Sequence, residues 1–258
     1  MIGLILGTSE GRTITKTLNK YTDDLLLSVV SSYGGSLLKD FKYKILNTKP
    51  LKEDELKKLL IDSNVNLLVD VSHPYAVNIT KASIKVSEEL NIPYIRYERK
   101  SVLNKYKNFP NIIEVNDYES LGTVLNKIEG NILNTTGSRN LSKILNLNLK
   151  NRIIHRVLPT LKVISECENL NLRVDDIIAI KGPFSKDLNL SLIKEFNIKA
   201  ILLKDSGIEG GSLEKLDAVL ESEKMINGIV IRREKISHDL VFDNEDKLIN
   251  YLLEKDYI

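Results

Sequence analysis

Cysteine is nearly absent from this chain: Cys167 is the single one in 258 residues. That excludes an intramolecular disulfide and leaves no thiolate cluster for a metal. Set in the apolar-patterned stretch 161–170, Cys167 reads as a small core residue. No basic lead with an apolar run opens the chain, and no segment nears the ~20 apolar residues needed to span a bilayer. A cytoplasmic protein without membrane contact is the expectation. An excess of charge is missing as well, since 37 Lys and Arg against 35 Asp and Glu leave +2. Such a balance gives no general attraction to nucleic acid or to a membrane surface. Any anionic ligand must be met by cations placed one at a time.

What is present begins at the N-terminus. Ile2, Leu4, Ile5 and Leu6 form an apolar run that stops at Gly7-Thr8-Ser9-Glu10-Gly11-Arg12. A run without alternation reads as a strand buried on both faces. Gly7 permits a tight bend or a close backbone approach, and Thr8 or Ser9 can cap the helix that follows. Free N–H groups and the helix dipole make such a corner a natural phosphate site. Ser9 stands where the dinucleotide fingerprint has its second glycine, so the corner alone leaves two readings open: a phosphate cradle, or a turn that binds nothing.

Strand-like runs then alternate with helical ones, the mark of α/β architecture with mainly parallel sheets. Helices are expected at 12–20, 51–63, 77–90 and 244–253. Strands are expected at 25–30, 65–70, 92–97, 112–115, 132–134, 152–157, 177–181, 200–203 and 228–231. The strand at 25–30 ends in Ser31-Ser32-Tyr33, where an NAD-selective site would place an acid for the ribose. That absence leans towards NADP. The segment Asp70-Val71-Ser72-His73-Pro74-Tyr75-Ala76 has two readings: chemically capable groups at a strand end, or a helix start with Asp70 or Ser72 as cap and Pro74 in the first turn. Residues 132–140, Ile-Leu-Asn-Thr-Thr-Gly-Ser-Arg-Asn, echo the N-terminal strand and turn. The echo suggests two α/β lobes, 1–110 and 111–258, with the last helix on the second. Polar or glycine-rich decoration of nearly every strand end suggests a cleft lined by loops of both lobes.

The chain resembles the precorrin-6A reductase family of corrin-ring biosynthesis from residue 1 to about residue 233. The resemblance rests on Gly7 to Arg12, Asp70 to Ala76, Arg96 with Arg99, Thr135 to Ser138, Arg156 to Pro159, Gly182 to Ser185 with Asn189, and Lys204 to Gly207 with Gly210, Gly211 and Lys215. Seven segments in order are specific where each alone is common. Lys181, Leu203 and Arg233 depart from the pattern, standing for the more usual glutamine, threonine and proline. The resemblance implies two Rossmann-like domains flanking a central cleft, and hydride transfer from NADPH or NADH to a double bond of precorrin-6A or its cobalt form. The richness in Lys, Asn and Ile leans towards the cobalt-containing substrate.

Gly7, Thr8, Ser9, Gly11 and Arg12 are the expected cofactor corner, with the pyrophosphate at Thr8, Ser9 and Arg12, and Ser31 and Ser32 at the ribose or 2'-phosphate. The polycarboxylate tetrapyrrole would meet Arg96, Arg99, Arg139 and Arg156, along with Tyr75, Thr136, Ser138, Phe184, Ser185, Asp205 and Ser206. His73 and Lys204 are the candidate proton donors, and no metal is called for. The chemistry itself belongs to the nicotinamide, and the protein aligns and stabilises charge. A non-catalytic nucleotide sensor or tetrapyrrole carrier of the same fold is the alternative. A methyltransferase would need an adenosyl site, and none is evident. Oligomeric state is left open by the sequence.

Overall fold

The computed structural model describes residues 1–7 and 10–258. By internal contacts the chain forms two compact units, Met1–Lys100 with Glu234–Ile258, and Ser101–Arg233. The first unit runs β1 (Ile2–Leu6), α1 (Glu10–Leu18), β2 (Leu25–Ser28), α2 (Ser32–Ser36), β3 (Ile45–Asn47), α3 (Glu53–Asp62), β4 (Leu67–Val71), α4 (Val77–Leu90) and β5 (Tyr94–Tyr97). The second runs β6 (Ile112–Val115), α5 (Leu121–Leu125), β7 (Asn131–Asn134), α6 (Leu141–Leu145), β8 (Ile153–Val157), α7 (Leu161–Asn169), β9 (Ile177–Ala179), α8 (Lys186–Glu195), β10 (Ile198–Lys204), α9 (Ser212–Glu221) and β11 (Asn227–Ile231). The chain then returns to the first unit with β12 (Val241–Phe242) and α10 (Glu245–Glu254).

Each unit holds one six-stranded sheet, in the orders β12-β5-β4-β1-β2-β3 and β6-β11-β10-β7-β8-β9. All strand pairs are parallel. Both sheets are doubly wound in the Rossmann manner. Their central strands β1 and β7 are flanked by neighbours on both sides, and the five residues of β1 are all buried, which is why it reads as an unbroken apolar run. α1 packs Ile14 and Leu18 into a core with Leu4 and Leu27. In the second unit Leu133, Ile201 and Leu203 share a core with Leu216 and Val219 of α9. Cys167 is fully buried, and burial pushes its thiol pKa up.

Two expectations are corrected. The C-terminal helix does not belong to the second unit. β12 pairs with β5 through Val241↔Arg96 and Phe242↔Tyr97, and α10 buries Leu248, Ile249 and Leu252 among Ile2, Leu4 and Ile14. Each sheet is thus completed by a strand from outside its run of five: β12 for the first, β6 for the second. The division falls at Lys100/Ser101 and again at Arg233/Glu234, where the sequence reading had placed it once, after residue 110. Among the described residues no helix is long and apolar enough to cross a membrane.

Candidate functional site

In an open parallel sheet, ligands sit beyond the carboxyl ends of the strands where the winding direction reverses. In the first unit that point lies between β1 and β4, at Gly7 and the turn beginning at Ser72. Gly7 N–H donates to Val71 O at 2.9 Å. A Cβ on Gly7 would stand 3.1 Å from Val71 O and 3.4 Å from His73 N, so the two strand ends approach closely and a side chain there would be tight against backbone. Gly11 is buried in α1 against Leu6, and its carbonyl accepts from Thr15 Oγ1 at 2.6 Å. Arg12 is exposed on the first turn of α1. Thr8 and Ser9, expected at the pyrophosphate, lie outside the described residues. At the end of β2, Ser31 and Ser32 are exposed. Ser31 caps α2, its hydroxyl accepting from Gly34 N–H at 3.1 Å.

The turn after β4 separates its two sequence readings. Neither Asp70 nor Ser72 caps a helix, because α4 begins only at Val77 with Ala76 as its cap position and no side-chain cap bond. His73 is half-buried. Its Nδ1 accepts from Tyr75 N–H at 3.2 Å, which places the proton of the neutral ring on Nε2, and the Tyr75 ring lies 5.7 Å away. Asp70 is fully buried and serves the fold: it accepts from Ser72 N–H at 2.8 Å, Thr80 Oγ1 at 2.8 Å and Tyr94 OH at 3.0 Å. Arg96 Nη1 stands 2.8 Å from Asp70 and donates to Ser72 Oγ at 2.9 Å. Burial, with the Asp70 charge alongside, raises the Tyr94 pKa.

Arg96 and Arg99, assigned to substrate carboxylates from sequence, are both engaged inside the first unit. Arg96 is 4% exposed and held by Asp70. Arg99 is 7% exposed, and its Nη2 donates to Glu10 Oε2 at 2.6 Å. The physical reason is charge compensation: Asp70 and Glu10 are sequestered carboxylates, and a sequestered charge requires a partner.

The second unit has the same switch point, between β7 and β10. After β7, Thr136 N–H and Oγ1 both donate to Asn134 Oδ1, at 3.0 and 2.8 Å. Asn134 Nδ2 donates to Nδ1 of neutral His155, whose pKa burial pulls down to about 4. Gly137 follows at φ +82°, and a Cβ there would meet nothing within 4 Å, so the turn borders open space. Ser138 is half-buried and Arg139 exposed. After β10, Lys204 is half-buried, its pKa lowered to about 8 by burial and next by the charge of Arg139. Ser206 N–H donates to Ser212 Oγ at 2.9 Å. Asp205 is 2% exposed and works inward: Arg233 Nε donates to its carbonyl at 2.9 Å and lies 3.1 Å from its carboxylate. Arg233, a departure from the family pattern, is therefore a local tie; Lys181 is exposed.

Next to this point, near the end of β8, lies Arg156, 7% exposed, whose Nη1 donates to Asn189 Oδ1 at 2.8 Å and whose guanidinium lies 4.6 Å from the centre of the Phe184 ring. Burial lowers its pKa to about 10. Ser185 caps α8, accepting from Leu188 N–H at 3.2 Å. The sequence reading passed over Lys215 as a site residue. It is 8% exposed on α9, with its pKa drawn down to about 7 by burial and by Arg156. Its signal was its place in the Lys204 to Lys215 segment; helical periodicity hides it, since its position faces the core.

A family model described as precorrin-6x reductase CbiJ/CobK matches residues 1–253. The chain is 39% identical over 251 residues to the cobalt-precorrin-6A reductase of Methanocaldococcus jannaschii, covering 96% of each. Against that of Methanococcus maripaludis identity is 36%, covering 95% of this chain and 96% of the relative, and against that of Priestia megaterium 32%, covering 99% of each. Among solved structures, a CobK precorrin-6A reductase matches with a TM-score of 0.77 at 16% identity, covering 98% of this chain and 96% of that one. At that identity the likeness speaks for the fold, with its two Rossmann-like halves. Model and relatives together place this chain in the precorrin-6x reductase family.

Proposed function

We propose that the chain reduces one carbon–carbon double bond of cobalt-precorrin-6A to give cobalt-precorrin-6B, with NADPH as donor. The observation that carries this reading is the close approach of β1 and β4 at Gly7, a corner of the kind that holds a dinucleotide, joined to a second unit whose own strand ends are cationic. The residues at hand suit a nicotinamide dinucleotide. Gly7 offers backbone without a side chain in the way, Arg12 an exposed cation, and Ser31 and Ser32 exposed hydroxyls where a carboxylate would repel a 2'-phosphate. The bound nicotinamide supplies the hydride from its ring C4.

The protein's share is to hold carboxylates and deliver a proton. Reducing a double bond consumes one hydride and one proton, so a donor is needed besides the cofactor. His73, with its proton on Nε2, and Lys204, poised near pH 8, are the two groups we assign to that role. Arg139 and Arg156 bind carboxylates of the macrocycle, near Thr136, Ser138, Phe184, Ser185 and Ser206. Arg96, Arg99 and Asp205 act as positioning residues, and Tyr75 orients His73. The cobalt form of the substrate is favoured because the three relatives above are named for it.

A single-turnover assay pairing NADH and NADPH with cobalt-free and cobalt-containing precorrin-6A tests this. Oxidation of NADPH by the cobalt form, faster than in the other three pairings, is expected. Tetrapyrrole binding without nicotinamide oxidation in any pairing would leave the carrier reading standing instead.

A further inference from the structure

Three of the sequence segments that looked separate, those at Arg156, at Gly182 to Asn189 and at Gly210 to Lys215, meet in the second unit around two buried cations. Arg156 comes from the end of β8 and Lys215 from α9. Each is more than nine-tenths buried. Lys215 Nζ donates to Gly210 O at 3.0 Å, one bond for an ammonium with three donors. Arg156 makes one hydrogen bond, to Asn189, for five donors. Neither has a carboxylate within ion-pair distance among the described residues, whereas the buried Arg96 and Arg99 each do. Buried charges are normally paired, because leaving them unpaired costs the full loss of hydration. Two together are an incomplete arrangement.

The turn at Gly211 brings Pro183, Glu214 and Lys215 together. Gly211 has φ +67°, and a Cβ there would lie 3.9 Å from Lys215 Nζ, 3.7 Å from Glu214 Oε2 and 3.5 Å from Pro183 Cβ. Glu214 Oε2 is itself shut off from solvent with no hydrogen-bond partner. Lys215 and Arg156 thus keep N–H donors unused beside the first turn of α9, a ten-residue helix whose free N–H groups favour an anion.

We infer that Lys215 and Arg156 together hold one peripheral carboxylate of the tetrapyrrole, making Lys215 a substrate-binding residue of the second unit. This rests on the reductase reading and names one of its contacts. The charged groups that reach Lys215 are Arg156 from β8, which disfavours its protonation, and Glu214 on its own helix, which favours it. Burial and the neighbouring Arg156 charge leave Lys215 largely neutral at pH 8. An arriving carboxylate restores the proton to Lys215. Substrate binding then takes up a proton, which a lysine serving only to brace the Gly210 turn would not do.

The test is calorimetric titration of cobalt-precorrin-6A into the protein with NADP+, in two buffers of different ionisation heat at pH 8, for wild type, Lys215→Met and Lys215→Arg, with kinetics alongside. Wild type takes up most of one proton, and Lys215→Met at least half a proton less. Lys215→Met raises the KM for the tetrapyrrole about 10- to 100-fold, the worth of a hydrogen bond to a charged group, with the KM for NADPH unchanged. Lys215→Arg recovers most of the affinity without the proton uptake. Wild-type turnover combined with identical proton uptake and KM in Lys215→Met would overturn the inference and leave the reductase reading intact. No binding and no turnover by wild type would overturn both.

Discussion

Asp70 shows how a residue in a reactive-looking segment can belong to the fold. Ser72, Thr80, Tyr94 and Arg96 all converge on its carboxylate, which is fully buried. Removing one partner of such a pair leaves the other charge uncompensated. Asp70→Asn should therefore cost about 3–5 kcal/mol in urea unfolding, by the usual penalty for breaking a buried pair. His73, three residues on, should behave in the opposite way. His73→Ala should lower kcat by about 10²- to 10⁴-fold, the range for a lost general acid, while its unfolding midpoint stays near wild type. Unchanged turnover would remove His73 from the mechanism. The sequence supplied Asp70 and His73 as neighbours but could not divide their roles, because Asp70 is claimed by Tyr94 and Arg96 from the next strand, and cross-strand pairing leaves no mark in local spacing. Lys204 carries a sign that can be measured. Its folded pKa near 8 lies below the ordinary lysine value of 10.5, so between those values the unfolded chain binds more protons and stability rises with pH. Lys204→Met should be more stable than wild type at pH 7, with the gap closing towards pH 10.5, and it should reduce slowly. A constant gap across that range would contradict the buried-ammonium account.

Among elements, helix ends are the feature the sequence displayed and its reading overlooked. Asparagine or aspartate just past the ends of α3, α4, α7, α8 and α10 adopts positive φ: Asn64, Asn91, Asn171, Asn197 and Asp256. Glycine is the usual residue there, and Asn is the side chain that tolerates the left-handed region best. The abundant Asn of this chain is thus partly a set of helix stops. Asn91→Ala should lower stability by about 1 kcal/mol, the cost of left-handed backbone for an ordinary L-residue, and Asn91→Gly should not. The boundaries of α4 and β6 were legible because apolar periodicity and flanking breakers agreed. β3 and β12 were not, being three and two residues long and too short to show a period. β12 and α10 also expose the limit of arguing from adjacency. Burying Leu248, Ile249 and Leu252 is worth roughly 1.5–3 kcal/mol each, comparable in total with the ~5–15 kcal/mol that hold a typical domain folded. A chain ending at Arg233 should therefore lose the cooperative unfolding of the first unit, seen by circular dichroism on heating.

At the scale of the whole chain, the short echo between residues 1–12 and 132–140 stands for a full repetition. β1 and β7 each begin a 3-2-1-4-5 winding, and each sheet is finished by a strand from elsewhere in the chain. A few residues sufficed to suggest this because the switch-point turn is where both folding and ligand chemistry restrict the sequence. The origin of the sixth strands was hidden, since nothing in β6 or β12 marks which sheet it joins. The central claim is that the chain moves a hydride from a reduced nicotinamide to the macrocycle, and isotope transfer tests it most directly. With NADPH carrying deuterium at C4 and cobalt-precorrin-6A as acceptor, mass spectrometry of the product should show one deuteron gained, for one of the two C4 stereoisomers of the label and not the other. A reduced product free of label from both stereoisomers, or substrate returned unchanged after NADPH binding, would contradict it.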